Sequence, residues 1–145
     1  MANNKPVNYL TQMSNHDKII FLKILTTLAQ SDNRFDDSEK EYITDLAVAM
    51  NIDETSINEI FNSTDKNTVI KEAASIKDRS VALNILKEAC ILANSDSDLS
   101  EREVIFIGQV GQAMGIELEK IEQISQWVID FIILGEQRKI IFEEI

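Results

Sequence analysis

The chain has 145 residues, 14 basic and 25 acidic, giving a net charge of −11 and a pI near 4.5. With 44% apolar residues, four Gly and one Pro, it has the composition of one compact domain rich in unbroken helix, which excludes collagen-like, disordered and disulfide-scaffold classes. The acidity sets it against nucleic acid and anionic membrane surfaces, and one Cys and one His leave no internal disulfide, no thiolate zinc site and no Glu-x-x-His di-iron pair.

In chain order, the opening stretch Met1–Asn15 is polar and lacks the apolar region of a secretory signal, so the expected location is cytoplasmic. Ser14-x-x-Asp17 reads as a helix start, and the helix it opens runs to about Ser31. Its apolar residues Ile19, Ile20, Phe21, Leu22, Ile24, Leu25, Leu28 and Ala29 cover most of its circumference, the mark of a buried helix. After an acidic turn, Asp36-x-x-Glu39 is a capping box, followed by the stripe Ile43, Leu46, Ala47 and Met50. Asn51 then suits a left-handed C-cap. A third helix covers Glu54 to about Asn62, and a linking helix covers 65–77.

The second half follows the same plan. A buried helix from Arg79 to about Ser95 carries Val81, Leu83, Ile85, Leu86, Ala89, Cys90, Ile91 and Leu92. Ser100-x-x-Glu103 opens the next helix, with the stripe Ile107, Val110, Gly111 and Met114 ending before Gly115. A longer helix runs from Glu117 towards Leu134, where the run Phe131–Leu134 is far too short to cross a bilayer. The tail 136–145, apolar at Ile140, Ile141, Phe142 and Ile145, has no counterpart in the first half. It is expected to dock on the bundle, with a protein partner or self-association as the alternative.

Sliding the sequence by 64 residues lays Phe21–Ile60 over Ile85–Ile124 without a gap, and 13 of the 40 positions are identical. They include Leu28/Leu92, Asp32/Asp96, Glu39/Glu103, Met50/Met114 and Ile52/Ile116. An internal repeat follows, with units at about 18–62 and 79–134. The expected fold is all-α, about seven helices in one compact bundle over residues 1–145, built from two three-helix repeats.

On these residues the chain resembles the tellurite-resistance protein B (TerB-like) family. The resemblance is carried by Leu-Ala-Gln-Ser-Asp32, Asp36-Asp-Ser-Glu39 and Ala-Met-Asn-Ile52, and again by Leu-Ala-Asn-Ser-Asp96, Ser100-Glu-Arg-Glu103 and Ala-Met-Gly-Ile116. It covers roughly residues 18–134. It implies a non-enzymatic, cytoplasmic, all-helical domain associated with tellurite resistance and stress response, with acidic residues proposed to bind divalent cations. Related domains joined to other modules act in interactions. Where the family often has Gly after the turn aspartate, this chain has Asn33 and Ser97.

The candidate metal ligands are Asp32, Asp36, Glu39, Asp96, Asp98 and Glu103, with Ca²⁺ or Mg²⁺ as the ion. Asp36, Glu39 and Glu103 sit at helix N-termini, where backbone N–H groups favour them without a ligand. Asp32 and Asp96 follow helix C-termini, where the dipole disfavours a carboxylate. Two accounts would offset that cost: an Asx-type turn, or a bound hard cation. An EF-hand is excluded, because counting from Asp32 puts Arg34 at position 3 and Ile43 at position 12. Counting from Asp96 starts better, with Asp98 and Ser100, but ends on Glu101 at the Gly position and Ile107 at position 12.

His16 reads as a solvated or packing residue, Cys90 as a small buried hydrophobe, and Met50, Met114, Trp127 and Phe131 as core. No His-assisted nucleophile or Gly-rich phosphate loop occurs, so no enzymatic activity is expected. Two functions remain: a TerB-like stress domain binding a cation weakly through its acidic turns, or a protein-interaction module in which those turns are purely structural.

Overall fold

The computed structural model describes residues 12–31, 35–94 and 100–144, and among them the chain forms seven helices and no strand. These are α1 (Asn15–Gln30), α2 (Asp37–Ala49), α3 (Glu54–Ser63), α4 (Lys66–Ala73), α5 (Arg79–Ala93), α6 (Glu101–Ala113) and α7 (Leu118–Ile141). The fold is an all-α bundle.

Two helices form its centre. On α1, the run Ile20, Phe21, Leu22, Ile24, Leu25, Thr26, Thr27, Leu28 and Ala29 is buried, and only Ile19 of the predicted apolar set is half-exposed. On α5, Val81, Ile85, Leu86, Ala89, Cys90 and Leu92 are buried, with Leu83 and Ile91 at the margin. Neither could bury so much circumference against one neighbour. Accordingly α1 packs against α2, α3, α4, α5 and α6, and α5 packs against α1, α6 and α7. At roughly 1.5–3 kcal/mol for each fully buried large apolar side chain, this pair dominates the gain on folding.

The outer helices are set by their ends. Asp36 accepts from Glu39 N at 2.9 Å while Asp36 N donates to Glu39 Oε1 at 3.2 Å, and Ser100 and Glu103 make the same box at 3.2 and 3.0 Å. Ser14, Asp53, Asp65 and Asp78 cap α1, α3, α4 and α5 in the simpler one-way manner. At their other ends α2 and α6 close alike. Asn51 and Gly115 take φ of +62° and +81°, and Ile52 N and Ile116 N each donate back at 2.9 Å, to Ala47 O and Gly111 O. The Lys18 ammonium adds a cation at the C-terminus of α2, donating to Met50 O at 2.9 Å.

Three expectations need correction. The linking helix is shorter than 65–77, because α4 ends at Ala73 and a turn carries the chain through buried Ile76 to Asp78. The last helix does not stop near Leu134 but continues to Ile141: one Gly in a helix interior costs only about 1 kcal/mol, and the good helix formers Glu136, Gln137, Arg138 and Lys139 follow it. The tail does not dock either. Ile140, Ile141 and Phe142 are 78%, 69% and 69% exposed; Ile145 lies outside the described residues.

Gly111 shows how tightly α6 meets its neighbours. A Cβ there would lie 2.5 Å from Ile121 Cδ1 and 3.3 Å from Leu86 Cδ2, both in the core. We expect Gly111→Val to destabilise the fold by about 1–3 kcal/mol through overpacking, measured by urea unfolding. Gly108→Val serves as control, since a Cβ there meets nothing within 4 Å.

Candidate functional site

Of the six acidic residues picked out by sequence, three lie among the described residues: Asp36, Glu39 and Glu103. Asp36 and Glu39 face the first turn of α2, and Ser38 Oγ also donates to Asp36 Oδ1 at 2.8 Å. Glu103, only 8% exposed, turns back onto Ser100 N at the start of α6. These carboxylates are helix caps, each accepting backbone N–H where the dipole favours an anion. Among the described residues no three His, Cys, Asp or Glu side chains converge as metal ligands would. Asp32, Asp96 and Asp98 lie outside the described residues.

The described residues flanking the two acidic turns do meet. Ser31, directly before the first turn, and Arg102, two residues after Ser100, line one cleft of about 430 Å³ with Thr27, Gln30, Thr64, Lys66 and Phe106. The end of α1, the α3–α4 junction and the start of α6 therefore share one end of the bundle. Gln30 ties the cleft together, donating to Phe61 O at 3.0 Å and accepting from Thr64 Oγ1 at 2.9 Å. Among the described residues, the charged side chains lining it are Lys66 and Arg102, both cationic.

A second feature was misread from sequence. Trp127 and Phe131, expected in the core, are 53% and 56% exposed and stack on each other at 5.4 Å with an interplanar angle of 16°. Only Ile121 and Val128 of α7 are fully buried, and beyond Ile132 every described residue of the helix is exposed. The free apolar side chains Trp127, Phe131, Ile133, Leu134, Ile140, Ile141 and Phe142 range from 50% to 78% exposed. Trp127 also edges a groove of about 390 Å³ between α5 and α7, lined by Leu83, Asn84, Lys87, Lys120, Gln123 and Ile124. The signal was present in the sequence: seven-residue spacing places Trp127, Leu134 and Ile141 on one stripe, offset from the stripe of Ile121, Ile124 and Val128 that faces the bundle.

Polar contacts that the sequence did not disclose pin the helices together. Tyr42 Oη donates to Glu88 Oε2 at 2.6 Å between α2 and α5, and Lys23 pairs with Glu72 at 3.1 Å between α1 and α4. Arg79 grips Glu117 with two bonds of 2.9 Å, which lowers the Glu117 carboxyl and raises the guanidinium. Glu117 consequently leaves α7 without a side-chain cap. Hydrogen bonds from Ser56 and from Thr68 lower Asp53 and Asp65 in the same direction. His16 is exposed and lies 2.8 Å from Ser75 Oγ.

Cys90 is 3% exposed, and burial pushes its thiol up to about 11. It is a packing residue held away from thiolate chemistry.

Two measurements follow. Replacing Asp36 by Ala should cost about 1 kcal/mol, and replacing it by Ser much less, because Ser also caps; equal losses would contradict the capping role. Cys90 should resist alkylation at pH 8 until the chain unfolds. Its unfolded thiol ionises near 9.0 and its folded thiol near 11, so stability should fall as pH rises between these values. On the acid side the lowered carboxyls of Asp53, Asp65 and Glu117 work the opposite way. Their stabilisation is present at neutral pH and is lost as pH falls through their depressed range, below the usual carboxylate values.

Set against known families, curated proteins and solved structures, the chain matches no family model, no curated protein and no solved structure.

Proposed function

We propose that the chain is a non-catalytic helical interaction module of TerB-like type that docks onto protein through the apolar face of α7. The observation that carries this reading is the exposure of Trp127, Phe131, Leu134, Ile141 and Phe142 along a helix that outruns its own bundle. Monomeric proteins seldom leave contiguous apolar patches beyond roughly 300–600 Å² uncovered, and larger ones mark contact surfaces. A stacked pair of large aromatics is the side-chain chemistry enriched at the centres of such surfaces.

The acidic residues fit the same reading as structure. Asp36, Glu39 and Glu103 hold helix starts, and so do Asp53, Asp65 and Asp78, which accounts for a share of the net charge without a ligand. The kinship with TerB-like proteins is supported by matching local geometry 64 residues apart: two capping boxes and two left-handed C-caps. Stress response is then the setting in which the docking acts.

A photo-crosslinking residue at position 134 tests this in cells that express the chain. Protein adducts are expected at position 134, absent when the same residue is placed at position 58 on the polar face of α3 lined by Thr55, Glu59 and Asn62. Trp127→Ser combined with Phe131→Ser should abolish them. Adducts at neither position, or equally at both, would overturn the reading.

A further inference from the structure

A pocket of about 170 Å³ lies where α5, α6 and α7 meet, away from the exposed aromatics of α7. It reaches the buried side chains of Cys90, Ile107 and Ile121, while half-exposed Val104 and Leu118 edge its mouth. Gly108 forms part of its wall, and a Cβ built there would meet nothing within 4 Å. The space beside that turn of α6 is therefore open.

Protein interiors seldom keep such voids, and the first half of the chain shows how the same corner is closed. Under the 64-residue alignment Ser125 corresponds to Phe61, Gly108 to Thr44 and Asn94 to Gln30. Phe61 packs half-buried against the core and meets Phe35 edge-on, with ring centroids 5.0 Å apart. Its carbonyl accepts a 3.0 Å hydrogen bond from Gln30. The second half has a hydroxymethyl group at the position aligned with that ring, and a hydrogen at the position aligned with the Thr44 side chain. Asn94 turns its amide onto its own helix, donating to Cys90 O at 2.7 Å.

The lining selects the ligand. An apolar cavity of about 150 Å³ takes one benzene ring, so this space suits a single ring or a branched chain of similar bulk. The Cys90 thiol, pushed up to about 11 by burial, is neutral at pH 7 and adds to the apolar interior. Among the described residues the charged side chain lining the pocket is Glu122, which is exposed and makes no hydrogen bond or ion pair with them. A carboxylate at the mouth of a pocket, in a chain of net charge −11, draws in cations and turns away organic acids.

From these observations we infer that the pocket binds a small organic ammonium ion, with one ring or branched chain packed against Ile107, Gly108 and Ile121 and the ammonium at the mouth beside Glu122. The site is separate from the docking face proposed above and stands or falls without it.

Titration of the full chain with benzylammonium, followed through backbone amide NMR shifts, tests the site. Saturable shifts are expected at Gly108, Ile121 and Ser125 at millimolar concentrations, with the amides of α1 unmoved. Ser125→Phe, which supplies the ring of the first half, and Gly108→Leu, which grows into open space, should each keep the helical content and abolish the shifts. Glu122→Gln should weaken benzylammonium by up to about 5-fold, as for an exposed ion pair, and leave benzyl alcohol unchanged. Phenylacetate, which carries the same ring on a carboxylate, should bind more weakly than either. No saturable shift with benzylammonium, or shifts that survive in whichever filling variant folds, would overturn the pocket. Equal binding of benzylammonium and phenylacetate would overturn the ammonium ligand.

Discussion

The whole arrangement depends on burying α1 and α5 on nearly all sides. Each is apolar around most of its circumference, so neither is stable until several other helices surround it. That demand recruits α2, α3, α4 and α6 around α1, with α6 and α7 against α5. The recruited helices supply one apolar stripe each, leaving isolated apolar residues exposed at Val48, Val104 and Ile105, and α7 goes further. It gives one stripe to the bundle through Ile121 and Val128 and holds a second, offset stripe in solvent. A second apolar stripe has no use in the core of one copy. On the proposed reading this second stripe is the docking face.

Charge is distributed to the same end. Much of the acidity sits where helices start, with Asp or Ser at six of the seven N-caps and Glu completing two of them. Those carboxylates are favoured by backbone N–H groups and the helix dipole, so a strongly acidic chain is compatible with a tightly closed fold. The exception at α7 is instructive. Glu117 is taken by Arg79, a two-bond grip that fixes the start of α7 against the start of α5. The helix is thus held at its N-terminal end and free at the other.

Much of the fold was legible in the sequence because its signals are local. The all-round apolar pattern of Ile20–Ala29 and of Val81–Leu92, the boxes at Asp36/Glu39 and Ser100/Glu103, and the turn residues Asn51 and Gly115 each act within one helix turn. The helix end expected near Leu134 was wrong because the glycine at 135 does not by itself break a helix when good helix formers follow it. Trp127 and Phe131 misled because apolar character at helical spacing does not say whether a neighbour exists on that side; the stripe is as apolar as a core stripe and simply faces outward. The pairs Tyr42–Glu88 and Lys23–Glu72 join residues 46 and 49 positions apart, and no local rule connects them. The acidic candidates were legible as helix starts at Asp36, Glu39 and Glu103, where the cap geometry is local.

The central claim is that the far end of α7 is ordered by contact with another molecule. Hydrogen exchange on the full chain, read residue by residue for the purified protein and for the protein in an extract of cells that express it, tests it most directly. The amides of residues 133–141 should gain protection in the extract, while those of α1 and α5 stay constant. Equal exchange along 133–141 in both would contradict the account.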